Sequence, residues 1–194
     1  MKSVGLIVIS VLCTCFCTYT CAAQGAIGEI TPWNGSNELT WKDYNVLERE
    51  PNGSIAACSK ISITYVPVVK NDSIDIYVYC YLNRSGSYVY KAHENDNTLE
   101  HERGHFNLAE VYARTLRKEI LEGSFTLNSF QRYLGKYYRN IKREWKKEDR
   151  LYEEDTGVES GDTAKQKEWN TKIEEQLKQL NTYNISHILI KVKK

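Results

Sequence analysis

The chain has 194 residues, and its 26 Lys and Arg residues almost balance its 25 Asp and Glu residues, for a formal net charge of +1. This length supports one compact domain with a sizeable core and is too short for two comfortable ones. The balanced charge, without a basic excess, argues against nucleic acid as a partner.

The N-terminus has the pattern of a secretory signal peptide. Lys2 precedes an apolar run from Val4 to Cys17, and small residues follow up to Ala23. The small residues predict cleavage after Ala23 and therefore an exported protein. Because the apolar run is too short to span a bilayer comfortably, we expect no stable membrane span. Cys21 lacks a convincing lipoprotein cleavage pattern before it, so we expect a periplasmic or secreted protein without a lipid anchor. The predicted organisation is a signal peptide at residues 1–23 and a single domain at residues 24–194.

The first half of the mature chain is typical of a small antiparallel sheet. Ile55 to Val69 alternates around β-branched residues, and Ile74 to Leu82 alternates more strongly. Turn-forming residues follow each of these segments, and Ser87 to Tyr90 is a candidate third strand. The tail from Ile185 to Val192 is a candidate final strand.

Cys58 and Cys80 are the two cysteines that remain after the predicted signal peptide is removed. They lie on neighbouring segments with strand patterns. In an oxidising compartment such a pair forms a disulfide more often than a metal site or two free thiols. We therefore predict a disulfide between Cys58 and Cys80.

The most informative motif is HExxH, which here reads His101-Glu102-Arg103-Gly104-His105. On an α-helix, residues four apart lie on the same face, so the imidazoles of His101 and His105 can converge on one metal ion. Glu102 is rotated about 100° from His101, which suits a general base better than a ligand. A Zn²⁺ ion would lower the pKa of a bound water toward about 7, and Glu102 would accept its proton.

The surrounding pattern favours a helix. Asn97 is the predicted N-cap, with Glu100 as its partner in a capping box, and Gly123 is the predicted end. Apolar residues recur at helical spacing between these points. They are Leu99, Leu108, Tyr112, Leu116 and Ile120.

Two further amphipathic helices are predicted after the HExxH helix. Their apolar stripes run from Phe130 to Trp145 and from Trp169 to Leu180, and Thr163 with Gln166 is a capping box at the start of the third helix. The cations on the second helix, including Lys142 and Lys146, are typical of a solvated face. Together with the strands, these helices predict an α+β fold in which a small antiparallel sheet packs against the HExxH helix.

An acidic turn is expected between the second and third helices, and it includes Glu153 and Asp155. One interpretation is a polar loop without a role in the site. The other is that the loop folds back and supplies the third zinc ligand, since two histidines and a carboxylate are a known catalytic set. Under that interpretation, Glu153 is the predicted ligand and Asp155 is its alternative.

Three other residues are weaker candidates for the site. Glu110 lies nine residues after His101, about 180° around a straight helix, so we expect a surface or supporting role. His93 precedes the helix in an expected loop and could approach the site. His187 lies in the strand-like tail and follows no pattern.

The segment from Leu99 to Arg114 reads LEHERGHFNLAEVYAR. It closely resembles the hallmark segment of a bacterial domain-of-unknown-function family described as predicted secreted zinc-dependent proteases. Two flanking pieces are also similar. Leu39 to Tyr44 resembles the early Trp-x-Asp-aromatic element of that family, and Tyr152 to Trp169 resembles its late Tyr-Asp-x-Glu-Thr-x-His…Gln-x-x-Trp element. Together these pieces span most of the mature chain.

The resemblance implies a zincin-like metallopeptidase with His101 and His105 as zinc ligands and Glu102 as the base. The late element departs from the family pattern. Where the pattern has Asp, Glu and His, this chain has Glu153, Asp155 and Val158. If the family histidine is the third ligand, this chain has lost it. If the acidic position is the ligand, Glu153 replaces it with one additional methylene.

The first functional hypothesis is an exported zinc-dependent hydrolase, most simply a peptidase acting on a peptide or protein substrate. A zinc peptidase can align an extended substrate along an edge strand, for which Ile74–Leu82 and Ser87–Tyr90 are the candidates. The alternative is a catalytically degenerate secreted or envelope protein that retains the HExxH helix and binds a partner through a tyrosine-rich sheet. Its tyrosines would be Tyr77, Tyr79, Tyr81, Tyr88 and Tyr90.

Overall fold

The structure is a computed structural model that describes residues 29–34, 39–49, 55–157 and 163–191. The predicted signal peptide and its cleavage point after Ala23 lie outside the described residues. The described part has an α+β architecture, with two sheets and three long helices. Within it, no helix is both long enough and apolar enough to cross a membrane.

The larger sheet is built around one central strand, β5 (Ser73–Asn83). Every strand of this sheet pairs antiparallel with β5, as the alternation of β-branched residues predicts. One face of β5, from Ile74 to Leu82, is buried against the helices. Its neighbours are β1 (Ile30–Pro32), β4 (Ile61–Val69) and β7 (His187–Lys191).

The second sheet has three short strands with β6 (Tyr88–Tyr90) in the middle. β6 pairs in parallel with β2 (Asn45–Leu47) and antiparallel with β3 (Ala57–Cys58). Both predicted substrate-aligning edges are therefore wrong, because β5 and β6 are interior strands. Among the described residues, β3 pairs on one side only, so it is an edge of this sheet.

Helix α1 (Asp96–Glu122) carries the HExxH motif and packs against both the larger sheet and the other helices. Its N-cap is Asn95, whose side-chain oxygen accepts a hydrogen bond from the backbone N–H of Thr98 at 3.0 Å. The predicted N-cap, Asn97, is therefore wrong by two residues. The predicted end at Gly123 is confirmed.

Helices α2 (Phe130–Thr156) and α3 (Thr163–Gln179) bury most of the predicted apolar stripes, although Leu180 lies just beyond α3. The acidic turn was predicted in the wrong conformation, because Glu153 and Asp155 lie in the last turn of α2. The helix ends at Gly157, whose N–H donates to the carbonyl of Glu153 at 2.8 Å. A Cβ at Gly157 would lie 2.7 Å from that same oxygen, so this tight ending requires glycine.

The predicted disulfide is wrong, since Cys58 and Cys80 are both free. Cys80 belongs to β5 and is 2% exposed on the face that meets α1. Cys58 belongs to β3 in the other sheet, where it is half-buried. Two neighbouring sequence segments thus fold into different sheets, which sequence spacing alone does not reveal.

A buried charge network joins α1 to the strands and helix around it. Glu110 is 1% exposed and accepts hydrogen bonds from Arg117 at 2.7 Å and from Arg114 at 3.1 Å. Arg117 also donates to the carbonyl of Val78 in β5, and Arg114 donates to the carbonyl of Leu177 in α3. Glu110 therefore lies in the core and is neither at the surface nor at the histidines.

We expect Glu110→Gln to lower the free energy of unfolding by about 3 kcal/mol, because it leaves two buried guanidinium groups without their counter-charge. Urea unfolding followed by circular dichroism measures this change. The control is Glu174→Gln, which alters an exposed glutamate of α3 in the same way. Equal stability of the two variants would contradict the structural role of Glu110.

Candidate metal centre

The two histidines of HExxH face each other across one turn of α1. Their Nε2 atoms are 3.1 Å apart, and the rings meet edge to face with centroids 4.7 Å apart. Both side chains are largely buried, with 8% exposure for His101 and 13% for His105. The i, i+4 spacing therefore brings the two imidazoles to one point, as the sequence predicts.

Glu153 reaches the same point from the last turn of α2. Its Oε2 atom lies 3.1 Å from His101 Nε2 and 3.0 Å from His105 Nε2. Asp155, the alternative ligand, faces away and accepts a hydrogen bond from the indole N–H of Trp169 at 2.9 Å. His101, His105 and Glu153 thus form a group that could hold a metal ion.

Hydrogen bonds at the far side of each imidazole determine which nitrogen carries the proton. Nδ1 of His105 donates to the Asp149 carboxylate at 2.7 Å. The hydroxyl of Thr156 donates to the carbonyl of Tyr152 at 2.6 Å, so its oxygen accepts from Nδ1 of His101 at 3.1 Å. In its neutral form each imidazole therefore carries its proton on Nδ1, which leaves the lone pair on Nε2.

The donor set fits a divalent cation such as zinc. The two Nε2 atoms and the Glu153 Oε2 atom lie 3.0 to 3.1 Å from one another. When both rings are neutral, each of these three atoms offers a lone pair. Ligand atoms about 2.0 to 2.1 Å from a tetrahedral zinc ion are roughly 3.3 Å apart, so only a small adjustment is needed. Two nitrogens and one carboxylate oxygen match a catalytic zinc set, which keeps a fourth position open.

Without a metal, the close approach of these three donor atoms favours a second proton on His105. Burial lowers the pKa of His105, but hydrogen bonds to Asp149 and Glu153, together with the charges of Asp149 and Glu102, outweigh it and raise that pKa to about 10. The hydrogen bonds from His101 and His105 hold the pKa of Glu153 well below its usual range. The site therefore favours one positive charge at its centre, whether a proton or a metal ion.

The ring of Tyr152 packs against both histidines. Its ring stacks on His101 with centroids 5.1 Å apart and meets His105 edge-on at 4.7 Å. Its hydroxyl donates to the backbone carbonyl of His101 at 2.8 Å and accepts from Gln166 at 2.7 Å. Gly104 permits this approach, because a Cβ there would overlap the Tyr152 hydroxyl and lie 2.5 Å from its ring carbon Cζ.

Glu102 lies beside the donor group without belonging to it. Its side chain is 4% exposed, and its Oε2 atom accepts a short hydrogen bond from the hydroxyl of Ser59. Tyr44 in turn donates to Ser59 at 2.6 Å, so a relay of two hydroxyls orients the carboxylate. Burial raises the pKa of Glu102, and the nearby His105 and the Ser59 hydrogen bond oppose that rise. This is the environment of a proton acceptor.

A cleft of about 660 Å³ opens over these residues. Its lining includes the chain from Ile55 to Ser59, which contains the edge strand β3, and part of α2 from Trp145 to Glu154. His101, Glu102 and His105 also line it.

The sequence interpretation missed several residues of this site, among them Asp149, Thr156, Tyr44 and Ser59. Asp149 lies four residues before Glu153, so a predicted α2 that continued through the acidic segment would have placed both carboxylates on one helical face. Tyr44 and Ser59 carry no comparable signal, because they come from loop and strand ends that only the fold brings together. Gln166 was predicted to cap α3, but its side chain donates to Tyr152 and Asn170. Val158 lies outside the described residues.

The remaining histidines do not join the described donor group. His93 ends a short 3-10 helix before α1. His187 lies on β7, where its Nε2 atom is 2.7 Å from Asp75 and its ring stacks on Tyr77. Their imidazoles therefore have no role in the metal group.

We expect Gly104→Ala to destabilise the protein by about 1 to 3 kcal/mol and to weaken zinc binding, because the new methyl group pushes Tyr152 away from the histidines. Urea unfolding and a zinc titration measure the two effects. The matched control is Gly135→Ala, in α2, where a Cβ meets only the Arg139 guanidinium at 3.3 Å. That change replaces a helical glycine without overlap, so stability should hold or rise by up to about 1 kcal/mol. Equal losses in both variants would refute the packing argument.

Because a bound ion must displace the shared proton, zinc affinity should fall with decreasing pH. From about pH 8.5 down to about pH 6.5 we expect roughly a tenfold loss per unit, with one proton released per ion bound. Calorimetry in buffers of different ionisation enthalpy counts those protons. Asp149→Asn removes a main cause of the raised His105 pKa, so it should flatten the profile. A flat profile in the unaltered protein would contradict the shared proton.

The chain matches no protein-family model, no curated protein and no solved structure. His101, His105 and Glu153 bring two imidazole nitrogens and one carboxylate oxygen together, and Glu102 lines the same cleft.

Proposed function

We propose that the protein is an exported zinc-dependent hydrolase, and that it is a peptidase with a zincin-like fold. The observation that carries this proposal is the convergence of three lone-pair donors, His101, His105 and Glu153, on one point beside the buried carboxylate of Glu102. A bound zinc ion would supply the Lewis acidity that acidifies water and polarises a carbonyl group. Proton transfer and positioning are then carried out by the side chains of this chain.

Glu102 is the general base in this proposal. Its Oε2 atom is engaged by Ser59, so we assign to Oε1 the acceptance of the water proton and its return to the leaving amine. Tyr44 and Ser59 keep the carboxylate in place while it changes charge. Asp149 keeps the lone pair of His105 directed at the metal position.

A polypeptide substrate is supported by two features. The edge strand β3 lines the cleft and offers a backbone along which an extended chain could pair. The sequence from Leu99 to Arg114 resembles a family described as predicted secreted zinc-dependent proteases. The late element of that resemblance also surrounds the site, since Tyr152, Glu153 and Thr156 all contact the histidines.

The alternative is a degenerate protein that keeps the HExxH helix and binds a partner through its tyrosines. Tyr77 and Tyr79 do stack on the face of β5 that turns away from the helices, and Tyr79 is 39% exposed. Tyr90, however, is buried, so the five tyrosines do not form one surface. The complete donor set and the oriented Glu102 favour the hydrolase.

The decisive variant is Glu102→Gln, which keeps the shape of the side chain and removes its basicity. We expect one zinc per chain in this variant by elemental analysis, and a fall in the peptide-cleavage rate of about 10² to 10⁴-fold against the unaltered protein. Cleavage of a quenched fluorescent peptide library measures the rate. Undiminished turnover in Glu102→Gln would overturn the assigned role of that residue.

A second pair of variants tests the metal group. Glu153→Ala should lose the zinc, whereas Glu154→Ala, an exposed neighbour outside the donor group, should retain it. Retention of zinc in Glu153→Ala would move the third ligand elsewhere. A purified unaltered protein that takes up no zinc, even when zinc is supplied, would favour the degenerate binding protein.

A further inference from the structure

One face of α2 carries a dense cluster of cations, which we call the basic face. Six side chains, all exposed, line a shallow hollow of about 560 Å³. No acidic or apolar side chain contributes to its lining. The residues of the basic face are Arg139, Lys142, Arg143, Lys146, Lys147 and Arg150.

The basic face does not reflect a general excess of positive charge, because the whole chain carries a formal net charge of only +1. Its cations are also poorly neutralised. Among the described residues, the only ion pair of this face joins Arg143 to Glu144 at 3.2 Å, and Lys142 lies over the ring of Tyr138. A local concentration of unneutralised cations attracts an anionic partner and steers its approach.

The spacing of these cations makes a continuous stripe. From Arg139 to Arg150 they follow one another at intervals of three and one residues, which keeps them on one side of the helix. Arg150 lies eleven residues after Arg139, and at a rise of about 1.5 Å per residue the stripe is roughly 16 Å long. An extended peptide rises about 3.3 Å per residue, so the stripe matches a segment of about five residues.

The basic face leads directly into the metal cleft. Lys146 lines both the hollow and the cleft. Farther along the same helix come Asp149, which holds His105, and Glu153, which belongs to the donor group. A chain lying along α2 would therefore pass from the cations to the metal position without leaving the helix.

We propose that the substrates are polypeptides with an acidic segment of about five residues on one side of the cleaved bond, and that the basic face binds this segment. The inference rests on the proposed function, since it assigns the substrate class of the same cleft. The basic face sets specificity and approach, whereas Glu102 and the metal group carry out the chemistry.

An acidic peptide fits this surface better than a membrane or a nucleic acid. Membrane-docking faces combine cations with apolar side chains that enter the lipid, and no apolar residue lines the hollow. Its stripe is short, and its continuity with the cleft through Lys146 suits a partner that also enters that cleft. Anionic vesicles and DNA are therefore competitors in the test.

The first experiment measures binding without turnover. Glu102→Gln protein is titrated into a fluorescent peptide with five consecutive glutamates and into a matched peptide with five glutamines, and anisotropy is read at low and high salt. We expect tighter binding of the acidic peptide, weakened by salt. Adding Lys142→Glu and Lys147→Glu should weaken this binding about tenfold or more.

The control carries the same change in charge elsewhere. Lys167→Glu with Lys178→Glu alters two exposed lysines of α3, and binding of the acidic peptide should change by less than about twofold. Equal binding of the two peptides, or equal loss in both double variants, would overturn the proposal. Preference for phosphatidylglycerol vesicles or duplex DNA over the acidic peptide would overturn it as well.

The second experiment uses the active protein and separates this proposal from the proposed function. We expect kcat/KM for a peptide with an acidic flank to exceed that for a neutral flank by about tenfold, and Lys142→Glu with Lys147→Glu to abolish this preference. Hydrolysis without any acidic preference would overturn the substrate class and leave the hydrolase intact. Acidic-peptide binding without hydrolysis of any peptide would overturn the hydrolase, and with it the assignment of this surface to substrate.

Discussion

The close approach of α1 and α2 at Gly104 is the constraint on which the candidate site depends. Tyr152 of α2 fits against the backbone of α1 only where no side chain intervenes, and there it stacks on His101 and donates to its carbonyl. Because Tyr152 precedes Glu153, the same contact delivers the third donor to the two histidines. The apolar stripe of α2, which includes Leu134 and Trp145, stabilises this approach through burial.

The electrostatics of the site follow from how each donor is held. Asp149 and Thr156 direct the Nδ1 protons outward, which leaves three lone pairs pointing at one another. Such an arrangement is unfavourable unless a positive charge occupies its centre. The preference for a cation therefore depends on the hydrogen bonds that Asp149 and Thr156 make with the histidines as well as on the three ligands. Glu102 lies outside the group, where Ser59 donates a hydrogen bond to its carboxylate.

Helix α2 combines three different tasks on its surface. Its apolar stripe packs against the core, its final turns present Asp149 and Glu153 to the histidines, and its exposed side carries the basic face from Arg139 to Arg150. These tasks coexist because a helix of 27 residues offers several faces along about seven turns. The same helix therefore connects the stability of the fold with the chemistry and the proposed specificity of the cleft.

Local pattern was sufficient for much of this protein. The spacing of His101 and His105 on a helix, the apolar stripes, and the strong alternation in β5 predicted an α+β fold and two ligands, because helical and strand periodicities are properties of adjacent residues. Glu153 was also predicted as a ligand, although in a loop. The acidic composition of its segment suggested a turn, whereas packing of Tyr152 and the ending at Gly157 keep it helical.

Only the tertiary structure decided how distant segments meet. Sequence spacing paired Cys58 with Cys80 and treated β5 and β6 as edges, but the chain divides these segments between two sheets and leaves β3 as the edge at the cleft. The relay from Tyr44 through Ser59 to Glu102 joins residues up to 58 positions apart. Sequence by itself determined which residues could do the chemistry. The fold determined which of them are brought within hydrogen-bonding distance, because that depends on long-range packing, which local periodicity does not encode.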